Sequence, residues 1–382
     1  MMTSPRVNVL VAGTALDAAV LAQLTRAEVR ESDCDPSVLA LRFTLIQRDN
    51  GEFAPVDDTL FEPGAALSFD LEAPGGLLSR LFEGFCTHVR PHFETAAENA
   101  YLEILAMDAA VVLDAEEKIA AWSNVKDSDV VSQILSGYQI TVQVDDTPVQ
   151  YDEDHQRLTQ RATDWRFLQH LARRNGMRFW FEYDQDSRAL AAHFTAPGIL
   201  ANPQPDVVLL QDGACLNWAD VQLLAIGPIT VSGAAIDPIA KRVIRGVGDP
   251  TREVMGGDAA ADGISSWLTQ RGAGAARAVL TDPPPLDEAL GATASAATDD
   301  ARFVIELRAE LDPALYRGVL RARRPVLVRG VGRRFSGVYY VQSVRTTMEN
   351  NRLLQTFVAM RNATGQSGQE RFGQSAEEVP AT

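Results

Sequence analysis

Histidine pairs, clustered carboxylates, glycine-rich turns and activated serines are the places where chemistry would begin, and in this chain the spacing argues against each. His88 and His92 stand four apart, but they flank Pro91 at a strand end instead of sharing a helix face, so the pair reads as surface histidines and not as metal ligands. Asp152-Glu153-Asp154-His155 concentrates carboxylates, yet it lacks the glycine and the spaced ligands of a calcium loop and reads as a solvated loop or interface patch. Gly246-Val247-Gly248 and Gly272-Ala273-Gly274 lack the further glycine and the strand-to-helix setting that cradle a phosphate. Ser265-Ser266 runs into Trp267, and Ser232-Gly233 has no glycine two positions before the serine, so no nucleophile elbow forms. The sequence therefore predicts no catalytic residue, no metal site and no cofactor.

Two other clusters invite a function. Phe179-Trp180-Phe181-Tyr183 would fill both faces of a strand, which fits core or protein interface better than a ligand platform. Arg317, Arg321, Arg323, Arg324, Arg329, Arg333 and Arg334 crowd one stretch of a chain whose net charge is -16. They are either scattered solvated side chains or a basic patch for an acidic partner, such as a neighbouring subunit, because arginine favours bidentate pairing. On the second reading, charge reversal at Arg323 and Arg324 is expected to weaken assembly.

Positioning such groups takes more than one core. A chain of 382 residues, 46% hydrophobic and 23% charged, predicts two or three globular domains and contains no apolar window long enough to span a membrane. The acidic balance opposes specific nucleic-acid binding. Three separated cysteines, Cys34, Cys86 and Cys215, suit reduced packing thiols, and the first residues lack a secretory leader pattern, so cytoplasmic synthesis is expected.

Short strands are predicted over Val7–Val11, Leu39–Ile46, Leu67–Leu71, Phe85–Val89 and Tyr101–Met107, a β-rich first domain over 1–113. An α+β insert over 114–205 follows. Its helices cover Ser128–Leu135 and the stretch capped by Thr163 or Asp164 and closed by Asn175-Gly176, with Trp165, Leu168, Leu171 and Ala172 forming one apolar stripe. A strand hairpin follows through Met177–Tyr183 and Leu190–Phe194. Strands resume over Val207–Leu210, Val221–Val231, Phe303–Leu307, Val326–Val328, Val338–Val344 and Leu353–Met360, a second β domain over 206–364. A partly irregular insertion is expected at about 246–300, with a helix near Ile264–Gln270, and a disordered tail over 365–382.

The two β-rich ends resemble each other. Phe82-Glu83-Gly84 and Phe335-Ser336-Gly337 each open a strand, and Gly84 to Met107 spans the same 23 positions as Gly337 to Met360. Unrelated β domains share such turns by chance, but common order with equal spacing favours an internal duplication. Three chains each carrying two similar units would approximate sixfold symmetry.

The most specific stretch is Asp164-Trp165-Arg166-Phe167-Leu168, running through Asn175-Gly176 into Phe179-Trp180. With Phe82-Glu83-Gly84 and Phe335-Ser336-Gly337-Val338-Tyr339, it resembles the phage late-control protein D and tail-hub family, which is similar to the N-terminal part of VgrG spike proteins. The resemblance covers Val7 to about Asn362. It implies a mainly β fold with an α+β insert, in which two duplicated barrel-like tube domains form a pseudo-sixfold ring as a homotrimer. It further implies a structural baseplate hub of a phage tail or contractile injection system, between the sixfold tube and threefold spike. Expected partners are its own copies, a separate spike protein, the first tube-ring protein and baseplate wedge or adaptor proteins, with effector cargo possible. A cell-wall hydrolase of the tail, or a lumenal effector carrier, is the alternative.

Overall fold

The computed structural model describes residues 5–366 and 368, apart from 59, 73–77, 97–98, 152, 155–156, 211, 225–226 and 273–275. Asp152 and His155 of the acidic cluster, Ala273 and Gly274 of the second glycine pair, and nearly all of the tail at 365–382 lie outside the described residues.

The principal strands of the first β-rich region are β1 (Arg6–Val11), β2 (Leu24–Ser32), β3 (Val38–Thr44), β4 (Ala66–Glu72), β5 (Leu78–His92) and β6 (Tyr101–Met107). The insert contributes β7 (Glu117–Trp122), α1 (Asp127–Ser136), β8 (Thr141–Val144), β9 (Leu158–Thr163), α2 (Asp164–Arg174), β10 (Arg178–Asp184) and β11 (Ala189–Thr195). Beyond it come β12 (Gln204–Val208), β13 (Leu216–Leu223), β14 (Thr230–Asp237), β15 (Arg242–Val247), α3 (Ala260–Gln270), β16 (Arg277–Val279) and α4 (Asp287–Ala301). The last are β17 (Ile305–Leu311), β18 (Pro325–Arg329), β19 (Gly337–Glu349) and β20 (Arg352–Arg361).

Both β-rich ends belong to one sheet, of thirteen strands among the described residues. Its first half runs β1-β4-β5-β6-β3-β2 and its second half β12-β18-β19-β20-β17-β13. Each half takes its strands from the chain in the same succession. The irregularities also fall at matching places. Thr87 in β5 and Gln342 in β19 are the extra residues of bulges against β6 and β20, while Thr25 in β2 and Asn217 in β13 are those against β3 and β17. One difference is direction: β1 is antiparallel to β4, whereas β12 is parallel to β18. The halves are joined edge to edge by β19 and β2, from Ser343 opposite Ser32 to Glu349 opposite Arg26.

Alternation along the strands explains the cores. Leu39, Leu41 and Phe43 of β3 with Leu102, Ile104 and Ala106 of β6 point into the first core, which Met348 and Leu353 enter from the other half. Leu307, Ala309, Tyr339, Val341 and Phe357 form the second. A third core lies in the insert around Trp165, Phe167, Leu168, Phe179 and Phe181; it also takes in Ala109, Ala110 and Leu113, which sit on the N-terminal side of the expected boundary at 113.

The stretch at 246–300 is more ordered than its composition suggests, and the helix expected near Ile264–Gln270 is present as α3. The stretch also holds β16 and the fifteen-residue α4. Alanine is the strongest helix former, and an Ala-rich face lets neighbours come close. A Cβ on Gly246 or Gly233 would collide with Leu290, and one on Gly248 with the Ala294 carbonyl. These glycines serve helix-on-sheet packing.

Equal spacing in the sequence does not mean equal ladder positions. Met107 opposite Phe85 does match Met360 opposite Tyr340, but Gly84 lies opposite Leu67 while Gly337 lies opposite Val328, two ladder places out of step. The long β5–β6 connection and the two-residue Asn350-Asn351 turn, both with positive φ, absorb the difference. The two glycines also answer to different neighbours: a Cβ on Gly84 would meet the Met107 carbonyl, and one on Gly337 the guanidinium of fully buried Arg361. Accordingly, Gly84→Ala should cost about 1–3 kcal/mol through overpacking, whereas Gly263→Ala, in an open position on α3, should gain about 0.5–1 kcal/mol. Urea midpoints check both, and equal midpoints would contradict the packing argument.

Candidate functional site, an arginine junction

The segment entering β18 sits where both halves of the sheet meet the insert. Arg321 and Arg323 are almost completely buried. Arg321 donates from Nε to Glu31 of β2 at 2.9 Å and pairs with Glu182 of β10 at 3.4 Å. Arg323 donates to the Ser32 carbonyl at 2.9 Å and to Ser37 Oγ at 3.1 Å, and its guanidinium lies 5.7 Å from the Trp180 ring. Arg324, half exposed, reaches Glu182 at 2.8 Å. With Arg323 also 3.8 Å from Glu182, a single carboxylate faces three guanidinium groups.

A second knot lies beside the first. Arg178 of β10 pairs with Asp33 at 3.1 Å and with Asp300 of α4 at 3.0 Å, and Arg252 joins Asp300 at 2.7 Å while donating to the Gly176 carbonyl at 2.6 Å. Three parts of the chain distant in sequence are tied by charge-assisted hydrogen bonds in a water-poor setting.

Burial alone would raise the Glu182 carboxyl, but Arg321, Arg324 and Arg323 outweigh it and hold the group at about 2. For Asp33 burial prevails over the pull of Arg178, and its carboxyl is raised. Burial and the adjacent Arg323 and Arg324 outweigh Glu182 at His193, whose imidazole is pushed down and stacks on Trp180 at 4.9 Å. Asp108 of the same corner is raised to about 6 by burial, against the opposing pull of the Ser37 and Ala110 amides.

The insert motif is placed by these contacts. Thr163 is the N-cap of α2, accepting from the Arg166 amide. Asp164, the first helical residue, accepts from Lys118 at 2.7 Å, Tyr138 at 2.6 Å and Gln160 at 2.7 Å, so its carboxyl is lowered although burial opposes this. Trp165, Phe167, Leu168 and Phe179 fill the insert core. Asn175 caps the end of α2 and donates to Asp127 at 2.6 Å, and Gly176 turns at φ +67°, with α4 so close that a Cβ would stand 3.2 Å from that of Ala296. Trp180 points the other way, to Arg323 and His193.

Four of the arginines proposed for a partner therefore have partners within the chain: Arg321, Arg323 and Arg324 as described, and Arg329 with Asp206 at 3.6 Å. Of the seven, Arg317, Arg333 and Arg334 are exposed apart from this junction. Linear sequence placed seven like charges together but hid the carboxylates that fold onto them. Glu31, Asp33, Glu182 and Asp300 were missed, although Arg178 and Glu182 in an aromatic strand, spaced to share a face with Trp180, carried a signal. Phe82, Gly84 and Gly337 take packing positions in the sheet, and Phe335, in the turn before β19, packs half-buried against the second core.

Among the described residues no group of three or more His, Cys, Asp or Glu is placed to hold a metal ion. His92 stacks on Tyr101 at 4.9 Å, and His88 contacts Thr87 Oγ1 at 3.0 Å. What the junction can do is fix the mutual angle of the insert and the two sheet halves.

Glu182→Gln tests that role. Removing one partner of a buried ion cluster costs about 3–5 kcal/mol. Because the folded value near 2 lies below the ordinary 4.5, the Glu182 contribution is complete above about pH 4.5 and is lost as pH falls toward 2. Asp108 acts in the opposite sense, favouring the folded state as pH drops from about 6 toward its ordinary 3.8. Wild-type stability should rise slightly from pH 6 to about 4.5 as Asp108 takes up its proton and then fall toward pH 2, and Glu182→Gln should start lower and fall less steeply below pH 4.5. Parallel denaturation curves across that range would overturn the assignment.

A family model described as the Alg8 N-terminal domain matches residues 4–191, a stretch that ends inside β11. No curated protein matches the chain. Among solved structures it is similar to the 43 kDa tail protein of prophage MuSo2 from Shewanella oneidensis, at 12% identity and a TM-score of 0.61, over 94% of this chain and 100% of that one. A tail protein from Neisseria meningitidis MC58 matches at 13% identity and a TM-score of 0.61, over 94% and 97%. The E. coli c3393 protein, described as a component of the type VI secretion system with structural similarity to the T4 tail proteins gp27 and gp5, matches at 14% identity and a TM-score of 0.53, over 92% and 76%. The fold of this chain is that of phage tail proteins and their type VI secretion counterparts.

Proposed function

We propose that the protein is a structural hub in the baseplate of a phage tail or contractile injection system, without turnover of its own. The observation that carries this reading is the sheet in which one strand order, with its bulges, occurs twice, its halves joined edge to edge. Two similar tube units per chain, over 1–113 and 206–364, would give six in a trimer, matching a sixfold tube ring on one side and a threefold spike on the other. The insert at 114–205, locked into the corner by the arginine junction, sets the angle between units. The fold shared with prophage tail proteins and a type VI component supports the same reading. A separate spike, the first tube ring and wedge or adaptor proteins are the partners this role requires.

The purified protein should have a solution mass of three chains and appear in negative stain as a ring with a central opening. A monomer at every concentration tested would overturn the trimeric hub.

A further inference from the structure

Each half of the sheet has two edges that can accept another strand. Within the chain, β19 of the second half is joined to β2 of the first from Ser343–Ser32 onward. The corresponding edges are open among the described residues: β5 pairs with β4 only up to Phe85, with Cys86 still donating to the Ala65 carbonyl, and β13 pairs only with β17. From these edges we infer that Thr87–His92 of β5 in one copy docks antiparallel on β13 of a second copy, repeating the β19–β2 ladder between chains. The inference rests on the trimeric reading for its closure and supplies the strands and register that reading leaves open.

The bulges fix the register. Setting Thr87 on Gln342 and Asn217 on Thr25 carries Ser343–Ser32 to His88–Leu224, Val344–Glu31 to Val89–Leu223, Arg345–Arg30 to Arg90–Gln222 and Thr347–Glu28 to His92–Asp220. Both faces of the docked pair are then chemically matched. On one, half-buried Val89 meets Leu223, and exposed Phe93 just past the strand meets Ala219. On the other, exposed Arg90 and His92 meet exposed Gln222 and Asp220. In the intrachain joint that polar face carries the same kind of pairing, with Glu28 bound by Arg26, Arg30 and Arg345.

Pro91 belongs to this design. The amide of Asp33 donates to the Gln342 carbonyl, so alternate residues of β19 beyond it direct their polar groups to β2. Equivalence places Val89, Pro91 and Phe93 in that direction in β5. Pro91 removes one donor, a device that blunts an open edge against indiscriminate pairing, while Val89 and Phe93 keep theirs. The contact is heterologous, head to tail, so it extends from copy to copy, and builds a ring where its rotation closes, instead of stopping at a twofold dimer.

Arg90 and Gln222 form a non-hydrogen-bonded pair across the inferred ladder, where Cα atoms lie about 4.5 Å apart, within reach of a disulfide. In a Cys34→Ser background, equal amounts of full-length Arg90→Cys and Gln222→Cys chains are mixed and oxidised, with Arg90→Cys and Val243→Cys as the control pair. The expected result is a disulfide-linked dimer from the first mixture and at least tenfold less from the control. A trimeric mass without the Arg90–Gln222 crosslink would overturn this interface and leave the hub reading standing. Crosslinked chains that never close at three would overturn the trimer and support the edge, and equal crosslinking in both mixtures would overturn the edge.

Discussion

The ladder between β19 and β2 is the constraint on which the rest of the molecule depends. It brings residues about three hundred positions apart in the chain onto neighbouring strands and turns two curled sheets into one. Loop-closure entropy grows only slowly with length, so joining such distant strands is affordable once a continuous ladder and shared core return the cost. Met348 and Leu353 entering the first core show that the joint is packed as well as hydrogen-bonded.

Where the ladder begins, the charges begin. Ser32 and Asp33 end β2 beside Gln342, and it is there that Arg178, Arg321 and Arg323 converge. Apolar packing would have held the insert in place at lower desolvation cost, since buried ion pairs roughly break even against hydrophobic replacements. Guanidinium forks add direction: Arg323 satisfies a carbonyl and a hydroxyl while Glu182 takes Arg321 and Arg324, so a shift of β10 along the sheet would strand several charges at once.

Much of the fold was legible in the sequence because most strands alternate or run apolar between turn residues. Tyr101–Met107, the hairpin after Asn175-Gly176 and the capped helix at Thr163 fall where the pattern puts them. Strand β2 was not legible: Arg26, Glu28, Arg30 and Glu31 give it charges on both faces, because one face carries the ion cluster and the other reaches the junction. Helix α4 was hidden in another way. Its small residues have little amphipathic contrast and look like a linker, yet they suit close packing on β14 and β15. The arginine run was visible as composition, but its carboxylates lie on strands far away in sequence.

The halves differ most tellingly at one backbone position. Gly64 precedes β4 with φ +87° and donates its amide to the Cys86 carbonyl; Arg323 precedes β18 with φ +67° and donates to the Val341 carbonyl, the same bond in the other half. A left-handed conformation costs a residue with a Cβ roughly 1–2 kcal/mol, which glycine avoids in the first half. In the second half the side chain offsets that strain through Ser32, Ser37 and Glu182, contacts that glycine could not make. Gly64 faces solvent while Arg323 is buried against the insert. The position is therefore a plain turn in the first half, and in the second it is the point through which the insert is held against both sheets.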